Sequence, residues 1–139
     1  MSDSYRELTI PAEIGRLEEV LAFLEEQLEE KGCPMKAQMQ ISVAAEEVFV
    51  NIASYAYAPG TGTATVRIAF AEDPAAAILT FLDSGVPFNP LAKEDPDVSL
   101  PAEKRQIGGL GIFMTKKTMD EVRYARTDGQ NILTLTKRI

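Results

Sequence analysis

The chain is predicted to be an α/β protein of the α+β kind. The expected architecture is a two-layer sandwich: a mixed, mostly antiparallel sheet with helices on one face. Three observations predict it. Ile14, Leu17, Leu21, Leu24 and Leu28 recur at three and four, the period of an amphipathic helix. Residues 63–71 alternate, with Ala64, Val66, Ile68 and Phe70 on one side and Thr65 and Arg67 on the other. Asp128-Gly129 separates two short β-prone runs, a strong hairpin signal. Strands joined by hairpins pair antiparallel. Helices inserted on one side of such a sheet cover a single face.

Residues 5–10 read as a short first strand that Pro11 ends. Pro11 can also open the first turn of a helix. The helix that follows carries the leucine stripe, and Glu18, Glu19, Glu25, Glu26, Glu29 and Glu30 occupy its other side. Lys31-Gly32 stops it, a base in the last turn followed by a glycine. Pro34 starts a second helix running to about Ala58, apolar at Val43, Val48, Phe49, Val50 and Ile52 and expected to be buried there. Pro59-Gly60-Thr61-Gly62 is a loop, and residues 63–71 are a strand. Asp73-Pro74 turns the chain into a strand over residues 76–82. Residues 84–107 hold four prolines, several acids and little periodicity, a loop of unusual length for a compact domain. Gly108-Gly109-Leu110-Gly111 then opens a third helix, and strands over 121–126 and 131–137 close the chain.

At 139 residues, one domain with a real core is expected, spanning residues 1–139. No apolar run approaches the roughly 20 residues of a membrane span, and Met1 to Tyr5 is polar. The expectation is a cytoplasmic protein without membrane association. A single cysteine, Cys33, excludes an intrachain disulfide and suits a reducing compartment. The absence of histidine removes histidine catalysis, histidine-ligated zinc and phosphohistidine chemistry within the chain. The net charge of −7 argues against a broad nucleic-acid surface. That charge is uneven: residues 104–139 carry eight bases against three acids, whereas residues 1–103 are strongly acidic. A basic final third suits a bound anion or an acidic partner, and equally a scatter of solvated lysines.

Three polar clusters interrupt the apolar scaffold. Glu47 and Asn51 lie one turn apart on one helical stripe, ahead of Tyr55. Such a stripe is either a solvated face or an oxygen-rich surface. In the second case Asn offers a neutral oxygen to Mg²⁺ and Glu a base. Asp83-Ser84-Gly85-Val86-Pro87-Phe88 follows an apolar strand. An Asp there can accept a hydrogen bond from an amino group such as adenine N6, and Gly85 leaves space for a flat ring. A plain Asp-Ser-Gly turn is the alternative. Gly108, Gly109 and Gly111 open a helix, where backbone N–H groups and the helix dipole can hold phosphate oxygens; a glycine hinge is the alternative. There is no Gly-Lys-Ser/Thr, and the glycines do not follow a strand.

In this order and setting, the three clusters resemble the histidine-kinase-like ATPase (GHKL) superfamily, and within it the anti-sigma-factor serine/threonine kinases. The resemblance covers nearly the whole chain. Residues 45–51 look like the N box, residues 83–90 like the G1 box and residues 108–113 like the G2 box of that Bergerat ATP-binding fold.

The resemblance implies ATP and Mg²⁺ as ligands. Asn51 would ligate the metal, Glu47 would act as catalytic base and Asp83 would receive the adenine amino group. Gly85 and Pro87 belong to the nucleotide-binding G1 box. The backbone of Gly108, Gly109 and Gly111 would hold phosphates. Residues 86–107 would form a lid, with Lys104 or Arg105 near the γ-phosphate. It further implies a protein kinase that binds a sigma factor and phosphorylates an anti-anti-sigma (STAS) partner, with homodimerisation left open.

Tyr55 stands where the family often has His, and Gly129-Gln130 where a Gly-Thr pair is common. The alternative of another class is a nucleotide-gated binding module or adaptor with little or no kinase activity. The ATPase piece of a histidine kinase ranks lower, because the chain opens directly at its first strand.

Overall fold

The computed structural model describes residues 5–92 and 109–139. Five strands form one sheet in the order β1-β2-β3-β5-β4: β1 (Arg6–Pro11), β2 (Thr63–Ala71), β3 (Ala76–Asp83), β4 (Glu121–Thr127) and β5 (Gln130–Arg138). Every pairing among the described residues is antiparallel, so the expectation of a mixed sheet is corrected in that detail. Strand β4 runs parallel to β3, but the hairpin returns β5 into the space between them. Asp128 and Gly129 both have positive φ, 53° and 77°, which makes the two-residue turn of that hairpin.

Three helices, α1 (Leu17–Glu30), α2 (Met35–Asn51) and α3 (Gly109–Thr118), cover one face, with α2 packed beside both α1 and α3. The rows of the sheet beneath them are apolar. One row runs Val66, Phe81, Leu133, and the next runs Ile68, Leu79, Leu135. These side chains meet Val20, Leu24 and Leu28 of α1 and Ile41, Val48 and Phe49 of α2 in a single core. The opposite sheet face is mixed, with Arg67, Thr80 and Thr134 beside Ile78, Leu82 and Ile132. There Thr9 and Thr65 share a 2.8 Å hydrogen bond, and Glu7 pairs with Arg67 at 2.8 Å, a half-exposed ion pair of small energetic weight.

The elements differ from the sequence reading in three places. Ile14 lies in a 3₁₀ turn (Ile14–Arg16) ahead of α1 and is exposed, so the buried row is Val20-Leu24-Leu28. Val43 is 66% exposed, on the outer face of α2 with Met35 and Met39. One face of a helix can meet the sheet, and the positions one third of a turn away are left to solvent. Finally, α2 does not run unbroken to residue 58. It passes at Asn51 into a π-helical turn, Ile52–Ala56, before the loop. Of the long loop, residues 84–92 are described, with a 3₁₀ turn at Pro90–Ala92. The remainder of the expected lid lies outside the described residues. No helix among the described residues is long and apolar enough to cross a membrane.

Candidate functional site

Asp83 is the last residue of the central strand β3, and its register partner on β5 is Asn131. Both point to the helix side, one row beyond Phe81 and Leu133, and both are buried at 6% exposure. A buried carboxylate must be bonded. Here Asp83 Oδ1 accepts two hydrogen bonds, from Asn131 Nδ2 at 2.9 Å and from the Gly85 backbone N–H at 2.9 Å. The second is the Asp-Ser-Gly turn of the plainer reading. That turn and an open carboxylate oxygen coexist, because both bonds fall on Oδ1. Oδ2 has no partner among the described residues. Among the described residues no solvent-sealed side-chain oxygen or nitrogen lacks a partner, so Oδ2 opens to the pocket that Asp83 lines.

This pocket encloses about 630 Å³, its open mouth included. Ile52, Phe81, Leu133 and Tyr124 wall its interior, Val86, Pro87 and Phe88 one lip, and Asn51 and Tyr55 the helix side. Apolar walls with a few convergent polar atoms are what a flat heteroaromatic ring requires.

The glycine in the turn serves packing. Gly85 is not among the pocket's walls. A Cβ there would overlap the Ala56 carbonyl oxygen and come within 2.6 Å of the Ala56 carbonyl carbon and Cβ. The space read for an approaching ring is therefore taken by the end of the π-turn. That same carbonyl oxygen accepts the Val86 N–H at 2.9 Å, and Arg126 Nη1 donates to the Gly85 carbonyl at 2.8 Å. Tyr57 adds a further tie: its hydroxyl donates to the Thr63 carbonyl at 2.6 Å and accepts the Ser84 N–H at 2.7 Å. The wide turn thus joins the helix carrying Asn51 to the strand end carrying Asp83. Single π-turns of this kind often sit at functional sites.

Asn51 and Glu47 are half-buried, one turn apart as expected. Asn51 Nδ2 donates to Glu47 Oε2 at 3.0 Å. The amide hydrogen thus faces the carboxylate, and Asn51 Oδ1 has no partner among the described residues. Asn51 lines the pocket, while Glu47 stands outside its walls. A neutral oxygen beside a carboxylate fits a hard cation. No group of three His, Cys, Asp or Glu among the described residues could hold one alone, so oxygens of a bound phosphate would have to complete the shell.

The third cluster is placed in part. Helix α3 begins at Gly109, so Gly109 and Gly111 lie in its first turn, where backbone N–H groups have no intrahelical partner. Gly108, Lys104 and Arg105 lie outside the described residues.

Sequence reasoning missed Asn131 and Tyr124. Asn131 donates to Asp83 and, at 2.8 Å, to the Val86 carbonyl. Its Oδ1 accepts the Phe88 N–H at 3.2 Å and the Tyr124 hydroxyl at 2.5 Å. A signal was present: Asn131, Leu133 and Leu135 alternate, which places one amide in line with two leucines on the core face of the strand.

The profile described as "Histidine kinase-like ATPase domain" matches residues 10–137. The chain is 28% identical over 101 residues to the serine/threonine-protein kinase BtrW of Bordetella bronchiseptica, covering 73% of this chain and 70% of that protein. It is 29% identical over 103 residues to the serine-protein kinase RsbW of Bacillus cereus, covering 71% of this chain and 62% of that relative's length. In fold it is similar to a crystal structure of the RsbU and RsbW domains of a Mycobacterium tuberculosis protein. The TM-score is 0.69 at 23% identity, over 97% of this chain and 32% of that one. With a match spanning nearly its full length, on an antiparallel sheet whose central strand ends in a half-open carboxylate, the chain belongs to the histidine kinase-like ATPase domain family.

Proposed function

We propose that this chain, acting as one unit, is an ATP- and Mg²⁺-dependent protein serine/threonine kinase. In this reading it phosphorylates an anti-anti-sigma (STAS) partner and holds a sigma factor when that partner is absent. The observation that carries the reading is the pairing of two sites across one pocket. Asp83 Oδ2 opens at the strand end, and the Asn51–Glu47 pair stands on the helix side. The kinase names of the relatives agree with it.

In this assignment Asp83 receives the exocyclic amino group of adenine, and the apolar walls exclude water from the ring. Asn51 Oδ1 would hold Mg²⁺, which neutralises phosphate charge when bound. The first turn of α3 offers Gly109 and Gly111 N–H groups to phosphate oxygens. Arg105 and Gly108 keep their expected phosphate roles by resemblance alone. Glu47, held by the Asn51 amide, takes the proton from an incoming hydroxyl. Phosphoryl transfer of this kind asks for alignment and charge neutralisation more than covalent help. The chain has no histidine, so a serine or threonine of another protein is the natural acceptor.

The test is transfer of labelled phosphate from ATP to the STAS-domain protein of the same genome, with and without Mg²⁺. Transfer that Glu47→Gln abolishes supports the reading. Tight ATP binding with no transfer to that protein would favour a nucleotide-gated adaptor.

A further inference from the structure

Asp83 cannot select a base by itself. A carboxylate rotates about its last torsion, and its two oxygens are equivalent until something distinguishes them. In this structure two donors, Gly85 N–H and Asn131 Nδ2, converge on one oxygen and leave the other to the pocket. Only one of these donors is a side chain. Asn131 is itself a rotor whose amide could turn over, and three of its four contacts decide its orientation. Its NH₂ faces two acceptors, Asp83 Oδ1 and the Val86 carbonyl, both within 2.9 Å. Its oxygen faces two donors, the Phe88 N–H and the Tyr124 hydroxyl. Turned over, it would set oxygen against oxygen at Asp83 and Val86 and N–H against N–H at Phe88, whereas the Tyr124 hydroxyl, able to accept as well as donate, ties the side chain down in either orientation. Tyr124 also presents its ring to the same pocket.

We infer that Asn131, turned by the Val86 carbonyl and the Phe88 N–H and held by the Tyr124 hydroxyl, is the positioning residue that keeps one Asp83 oxygen aimed at the ligand and so sets the preference for a 6-aminopurine. The inference rests on the ATP reading above. The asparagine here serves the carboxylate and both ends of residues 86–88 together. The pocket lip and the base-reading oxygen are thereby held by one side chain.

The test compares ATP with purine riboside triphosphate, which lacks the 6-amino group, by calorimetry on the full chain. The wild type should prefer ATP by about tenfold or more, the worth of one hydrogen bond to a charged group. In Asn131→Ala that preference should fall to within about threefold, through loss of ATP affinity while the analogue binds nearly as before. A merely structural role would weaken both ligands equally and leave the preference intact, and that result overturns the inference.

Tyr124→Phe keeps the ring in the sheet and removes one oxygen, so it carries the test if Asn131→Ala does not fold. It should lower the preference about two- to fivefold, and an unchanged preference overturns the inference. A wild type that binds both triphosphates alike refutes the adenine assignment of Asp83 itself, and the inference falls with it. A wild type that discriminates while both variants discriminate equally well removes the inference alone.

Discussion

Replacing Gly85 by alanine asks whether the junction between the helix end and the strand end is as tight as it is drawn. The new Cβ would overlap the Ala56 carbonyl oxygen, with two Ala56 carbons at 2.6 Å. Carbon atoms rest at about 3.5–4.0 Å, so the two segments must part by about 1 Å. The obstruction is largely backbone, and no flexible side chain can yield. Parting them stretches the Val86 N–H bond to Ala56 O and the Gly85 N–H bond to Asp83 Oδ1, both 2.9 Å. Two bonds at about 0.5–1.5 kcal/mol each, with about 1–3 kcal/mol of residual overlap, give a loss of about 2–6 kcal/mol.

Gly15 supplies the control. A Cβ there meets nothing within 4 Å and its φ is not positive, so Gly15→Ala should change stability by less than about 1 kcal/mol. Urea unfolding at constant m-value separates the two variants. ATP titration of Gly85→Ala should show weakened binding, because Asp83 and the end of the helix move apart. If both alanine variants unfold within about 0.5 kcal/mol of the wild type, the close approach at Ala56 is not what the glycine is for.

Further predictions concern single side chains. Asp83→Asn turns the open acceptor into a donor, and ATP affinity should fall about 10- to 100-fold by calorimetry; unchanged affinity would move the adenine elsewhere. Glu47→Gln should bind ATP nearly normally while phosphate transfer falls about 10²- to 10⁴-fold, and transfer at the wild-type rate would remove Glu47 as the base. Asn51→Ala should instead weaken Mg²⁺-dependent nucleotide binding, read as a flattened Mg²⁺ titration. Phe81→Ala empties a core position that is 1% exposed and should cost about 3–5 kcal/mol in urea unfolding. Burial pushes the Cys33 thiol above its ordinary pKa, so a thiol reagent at neutral pH should label it slowly until the protein is unfolded. That raised value also contributes stability which is complete below the unfolded thiol's pKa and is lost as pH rises through the folded one.

What could be read in advance divides along the range of the interactions. Glu47 and Asn51 are four residues apart, and the 3.0 Å bond between them follows from helical spacing alone. The Asp83 turn to Gly85 and the β4–β5 hairpin are equally local. Asn131 reaches Asp83 across 48 residues of chain, and the choice of β5 as the neighbour of β3 brings them together. A hairpin signal gives the β4–β5 register but does not say which strand lies on the other side. The same gap hid the wholly antiparallel sheet. The exposure of Val43 was hidden differently: valine reads as core in any pattern, and only the seating of α2 on the sheet shows which third of its circumference is left over.

The π-turn at Ile52–Ala56 gives this segment an unusual sensitivity to length. A π-turn holds one more residue than an α-turn. Deleting a single residue from it would heal the helix and improve its internal hydrogen bonding. By the usual measure of helix propensity the shortened chain would look sounder. Yet an α-helix advances about 100° and 1.5 Å per residue, so the shortening would swing the Ala56 carbonyl away from Val86 and pull Tyr57 off Ser84 and Thr63. Substitutions within Ile52–Tyr55 can therefore be accommodated where a deletion of the mildest kind cannot. Natural variants of this segment should differ in the letters they carry and agree in their number.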